Sequence, residues 1–150
     1  MALTYRDFDI GRTFPLGPKT VSEEEIIEFA EEFDPQPFHL DASSPQAEQV
    51  GGLIASGWHT CSIFMRMMVD SYLTKTASQG SAGLEEVRWL RPVRPGDVLS
   101  GTATVTGKRI SKSKPYLGLV DFDYVLNNQN DEPVMTIKGM GMVSVEKDNP

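Results

Sequence analysis

The chain has 150 residues and a formal charge of −7, from 14 Lys and Arg against 21 Asp and Glu. That length suits one domain able to bury a real core, and the acidic balance argues against non-specific nucleic-acid binding. A lone cysteine, Cys61, excludes an internal disulfide, and with only two histidines it leaves too few soft ligands for a zinc site.

In chain order, residues 1–20 read as an irregular lead-in punctuated by Gly and Pro. The opening "MALTYRDFDIG" lacks the basic and apolar regions of a secretory signal. No apolar run approaches a membrane span, so no membrane partner is expected and the cytoplasm is the expected location. A helix is predicted at "SEEEIIEFAEEF", where Ser22 and Glu25 have capping-box spacing and Glu23 to Glu25 suit the positive end of the dipole. Ile26, Phe29, Ala30 and Phe33 give it one apolar face, and Pro35 stops it near Asp34. "SGWHTCSIFMRMMVDSYL" predicts a second helix from about Ser56 to Leu73, apolar on nearly every side and so buried. With no second long helix to receive it, it should lie on a sheet.

Four strands follow. "GLEEVRWL" is the first; in "VLSGTATVTG", Leu99, Gly101, Ala103 and Val105 share a face. In "YLGLVDFDYVL" the shared face is Tyr116, Val120, Phe122, Tyr124 and Leu126; in "VMTIKGMGMVSV" it is Met135, Ile137, Val143 and Val145. "GKRISKSKP" and "NNQND" read as turns, so the sheet is mostly antiparallel. With no internal repeat and no linker, residues 1–150 read as a single α+β domain. A long central helix wrapped by such a sheet is the outline of a hot-dog fold.

Two stretches carry candidate chemistry. In "FDPQPFHLD", Asp34 and His39 stand five residues apart, which full extension in polyproline geometry would make roughly 16 Å. A turn stiffened by Pro35 and Pro37 would bring them together, and an imidazole and a carboxylate on one water form an acid–base pair. The same spacing also suits a turn-capping Asp34 and a His39 bonded to nearby backbone. In "GGLIASGWHT", Gly51 and Gly52 form a bend and Gly57 opens the buried helix, where the first N–H groups have no internal partner. Without a side chain there, a carbonyl oxygen could approach that N–H as in an oxyanion site; a packing glycine would look the same in sequence.

"DPQPFHLD", "ASGWHT" and "GLEEVRWLRPVRPGD" together resemble the MaoC-like family of (R)-specific enoyl-CoA hydratases and acyl dehydratases, over about Asp7 to Val145. The family's motif is Asp, any residue, Asn, Pro, an aliphatic residue and His. Asp34, Pro37 and His39 match it, while Gln36 replaces the Asn and Phe38 the aliphatic. The resemblance implies water addition across a trans-2-enoyl thioester, or the reverse. Asp34 and His39 would hold the water, Asp34 would act as base, and the Gly57 N–H would stabilise the enolate oxygen. It implies a coenzyme A or acyl-carrier-protein thioester as partner, and no cofactor or metal.

His59 is expected neutral, lining a core or pocket near the helix start, and Ser62 to pack or line the acyl site. Met65, Met67 and Met68 would form an adaptable apolar wall. Seven basic residues between Arg88 and Lys114, against the single acid Asp97, could hold a small polyanion or be a solvated face. A thioesterase of the same fold would place a carboxylate or polar group on or near the central helix, where Asp70 is the one on offer and stands far along the helix from Gly57. A non-catalytic acyl-binding subunit is the third reading. An uncovered sheet edge and face predict a homodimer or a larger homo-oligomer.

Overall fold

The computed structural model describes residues 2–146. Five strands form one sheet in the order β1-β3-β4-β5-β2, every neighbouring pair antiparallel. They are β1 (Thr13–Thr20), β2 (Leu84–Trp89), β3 (Val98–Ile110), β4 (Leu117–Asn127) and β5 (Pro133–Ser144). Between β1 and β2 come α1 (Glu23–Phe33), the short helices α2 (Pro37–Leu40) and α3 (Pro45–Gln49), and the long helix α4 (Gly57–Ser71). The sheet wraps α4 as expected of a hot-dog fold.

The core lies where α4 meets the sheet. Ile63, Phe64 and Met67 pack against the inward residues of β3, β4 and β5, including Leu99, Ala103, Val120, Phe122, Leu126 and Ile137. Each such side chain contributes about 1.5–3 kcal/mol by leaving water. That outweighs the mild helix cost of β-branched and aromatic residues, which is at most about 0.7 kcal/mol each.

Several expectations need correction. The lead-in is not irregular throughout, because β1 occupies Thr13–Thr20. Its signal is masked by Pro15, Gly17 and Pro18, which an edge strand tolerates since only one side of it is paired. Gly17 sits at φ +80°, where the β1–β3 register shifts, and a side chain there would strike Leu99 O at 2.7 Å. At the other end of the sheet β3 continues through Lys108, Arg109 and Ile110, so only 111–116 form the turn. Tyr116 lies outside β4 and is exposed, and Val145 lies beyond β5. Phe33 is exposed rather than on the buried face of α1. Nor is α4 buried all round: Trp58 is 65% and Met65 48% exposed.

The basic run is also two groups rather than one patch. Arg88, Arg91 and Arg94 lie at the end of the sheet where β2 finishes, and Lys108, Arg109, Lys112 and Lys114 at the opposite end. Lys108 is level with Val120 of β4 and Arg88 with Val125, so even the nearest members of the two groups stand about 17 Å apart along the strands. The segment from α1 to α3 folds over the first of these ends. It is tied there by Ile54 N–H to Phe38 O (3.0 Å) and Ala55 N–H to Val93 O (2.8 Å).

Candidate active site

Asp34 ends α1. The capping box starts that helix as read from sequence: Glu25 N–H donates to Ser22 Oγ (3.1 Å), and Ser22 N–H to Glu25 Oε1 (2.7 Å). Asp34 N–H still donates to Ala30 O (2.9 Å), but its φ of −150° leaves the helix before Pro35. Pro37 then opens the single turn of α2, whose fixed φ suits a first helical position. His39 is carried on that turn, 4% exposed, and its Nε2 comes to 3.2 Å from Asp34 Oδ2. The expected bend is therefore present, built from a helix end and one short helical turn.

The other ring nitrogen decides the chemistry. His39 Nδ1 lies 2.6 Å from the Ile54 carbonyl oxygen, which can only accept. Nδ1 therefore carries a hydrogen, and in the neutral ring Nε2 is an acceptor. A carboxylate oxygen facing an acceptor nitrogen requires a proton between them, or a water that donates to both. Asp34 is held below the ordinary carboxylate range by the neighbouring Ser56 hydroxyl first, then by the Gln36 amide (Nε2–H to Oδ1, 2.6 Å) and the His39 ring, against the opposing push of burial. Ser56 Oγ is buried and completes no hydrogen bond of normal geometry among the described residues, though it lies close enough to Asp34 to lower its pKa. Gln36, one of the two departures from the motif, therefore bonds to the acid.

Gly57 is the first residue of α4, and no acceptor among the described residues takes its N–H. The need for glycine has a cause other than an approaching carbonyl. The Trp89 indole lies on its α-carbon, so a Cβ there would sit 2.7 Å from Trp89 Cε2, while Trp89 Nε1–H donates to Gly57 O (3.0 Å). Asp34, His39 and Gly57 line one cavity of about 470 Å³, walled by Trp58, Trp89 and Thr60 with Arg91 among its lining residues. A second, apolar cavity of about 290 Å³ lies between α4 and the sheet; Trp58 lines both. Met65 and Met68 face this apolar space, whereas Met67 turns toward β1.

A scan of family descriptions matches residues 7–121 to the MaoC-like domain. The chain belongs to the MaoC-like domain family. Among solved structures, a MaoC-like dehydratase from Rhodospirillum rubrum is 36% identical, with a TM-score of 0.85 over 97% of this chain and 99% of that one. The (R)-hydratase PhaJ1 of Pseudomonas aeruginosa, at 21% identity and a TM-score of 0.78 over 99% and 94%, shares the fold. The uncharacterized protein YdeM of Bacillus subtilis is 26% identical over 94% of this chain and 97% of its own.

Other candidate residues of this MaoC-like chain fall elsewhere. His59 is buried, stacked on Phe29 at 4.9 Å, and borders a different cavity; burial lowers its pKa, which Glu25 partly offsets. Ser62 Oγ donates to Trp58 O (2.8 Å) and lines that same other cavity. Asp70 is exposed and held by the Arg66 Nε at 3.0 Å, far from a nucleophile's environment. Arg88 pairs with Glu86 and Arg94 bonds to Val50 O, leaving Arg91, paired with Glu132 at 3.0 Å, as the arginine at the cavity. Ser56, Trp89 and the Ile54 carbonyl escaped the sequence reading. Trp89 stands 32 residues from Gly57, and a backbone carbonyl has no side-chain signature.

Proposed function

We propose that this MaoC-like protein adds water to trans-2-enoyl thioesters to give (R)-3-hydroxyacyl thioesters, or runs the reverse dehydration. The observation that carries the reading is the 3.2 Å Asp34–His39 pair facing the cavity that Gly57 also lines. In the hydration direction Asp34 takes a proton from water as the water oxygen bonds to the β-carbon. The C=C electron pair shifts onto the thioester oxygen, to which the Gly57 N–H donates as charge develops, an interaction worth about 3–4 kcal/mol in comparable sites. The proton taken by Asp34 passes to His39 Nε2 across the short gap between them and from there to the α-carbon as the enolate collapses, which leaves the pair as it began. In the reverse direction each transfer runs backwards.

The apolar cavity bordered by Met65 and Met68 is suited to the acyl tail, and Arg91 to the anionic carrier, coenzyme A or an acyl-carrier protein. The reading takes residues 1–150 as one cytoplasmic domain that works as a homodimer. Loss of conjugated-thioester absorbance from a short trans-2-enoyl-CoA measures the reaction. Asp34→Asn and His39→Gln should each lower the rate about 10²–10⁴-fold. Equal rates for wild type and Asp34→Asn would end the assignment. Tight acyl-CoA binding without turnover would instead mark a non-catalytic subunit.

A further inference from the structure

A third cavity, of about 690 Å³, is distinct from the two discussed above. It lies between β1 and the opposite side of α4, floored by Phe14, Ile63 and Met67. His59 borders it, and the His59 Nδ1 atom is buried without a hydrogen-bond partner among the described residues. A buried polar atom left unpaired costs about 1–3 kcal/mol and is rare in folded proteins. Around the apolar floor stand Lys19, Arg66 and Lys75, against the single carboxylate of Asp70. Lys19 is engaged by Glu25 (3.2 Å), and the Arg66 Nε by Asp70. Lys75 Nζ and the Arg66 terminal nitrogens take no acceptor among the described residues.

From this geometry we infer that the space between β1 and α4 is a second ligand site, for an amphipathic organic anion with an apolar body. The anionic head would meet Lys75 and Arg66, and the body would lie on Phe14, Ile63 and Met67 beside the His59 ring. The volume falls within the range of small-molecule sites. Strand addition does not fit the place: Pro15 and Pro18 interrupt the free edge of β1, which protects it from pairing. Because His59 is two residues after Gly57 on the first turn of α4, an occupant would touch the helix whose start lines the other cavity.

Octanoate is a suitable probe of the full chain, with octanol and acetate as controls for head and tail, measured by titration calorimetry. Saturable binding of octanoate is expected, with octanol and acetate each about tenfold weaker or worse. Ser62→Trp, which fills the cavity from its exposed wall, and Lys75→Glu should each weaken binding about tenfold. His59→Phe keeps the stack on Phe29 and should weaken it less, while Met65→Trp, which fills the apolar cavity instead, should leave it unchanged. Absence of saturable binding would overturn the inference. So would binding that ignores Ser62→Trp and Lys75→Glu, or that is lost in Met65→Trp, since the anion would then sit elsewhere. The readout is binding, so it stands whether or not enoyl thioesters are turned over.

Discussion

The two histidines of the chain have opposite fates, and the difference is in their partners. His39 has both ring nitrogens engaged, by the Ile54 carbonyl and by Asp34. His59 has neither in a normal hydrogen bond among the described residues: Nδ1 is without a partner there, and Nε2 stands 3.8 Å from Glu25 Oε2. Burial holds the His59 pKa below its usual 6.5, with Glu25 opposing and Lys19 adding to the depression. The unfolded chain therefore takes up a proton first as pH falls. Stability from keeping His59 neutral is complete above about pH 6.5 and is lost progressively down to the lowered folded value. Urea denaturation of wild type and His59→Phe, compared between about pH 7.5 and pH 5, checks this. The difference between them should shift in favour of the Phe variant as pH falls; a pH-independent difference would show that the ring is not held neutral.

At the scale of elements, the site depends on where helices begin and end. α1 delivers Asp34 at its C-terminal cap and is started by Ser22, so Ser22→Ala should cost about 1 kcal/mol. Equilibrium unfolding would register that loss, while the Asp34–His39 geometry, a full helix length away, keeps the reaction rate within a few-fold. These helix signals were open to sequence reading because they are local: Ser22 and Glu25 are one turn apart, and Pro35 acts on its own neighbour. The same holds for the alternation in β3, β4 and β5, with Leu99, Phe122 and Ile137 all inward. β1 was hidden because its edge position permits prolines that a central strand would reject. The site was half legible for the same reason. Asp34, His39 and Gly57 lie in two short motifs. Trp89 reaches Gly57, and Ile54 O reaches His39, only after the sheet and the α1–α3 segment have folded.

For the whole molecule, the two free edges of the sheet differ in a way that bears on assembly. β1 carries Pro15 and Pro18 and a register shift, all of which discourage another strand from pairing. β2, with the sequence "LEEVRW", has no proline, and Leu84 and Trp89 on it are 53% and 46% exposed. Next to it α4 exposes Trp58 and Met65; Trp58 meets Trp89 edge to face at 5.8 Å, and Met65 shares the apolar cavity with Leu84. An unprotected strand edge flanked by contiguous aromatic and aliphatic surface is what a two-fold partner would cover. Two copies joined through β2 would make one ten-stranded sheet from two of five, and would bring Trp58 and Trp89, walls of the Asp34 cavity, under the partner. A dimer is therefore expected in light scattering at micromolar concentration. Leu84→Lys combined with Met65→Glu should shift it to monomer without loss of far-ultraviolet circular dichroism. If the partner closes the cavity, that monomer should also turn over the proposed enoyl-thioester substrate more slowly, with Asp34 and His39 untouched. A wild-type monomer, or a double variant still dimeric, would place the interface elsewhere.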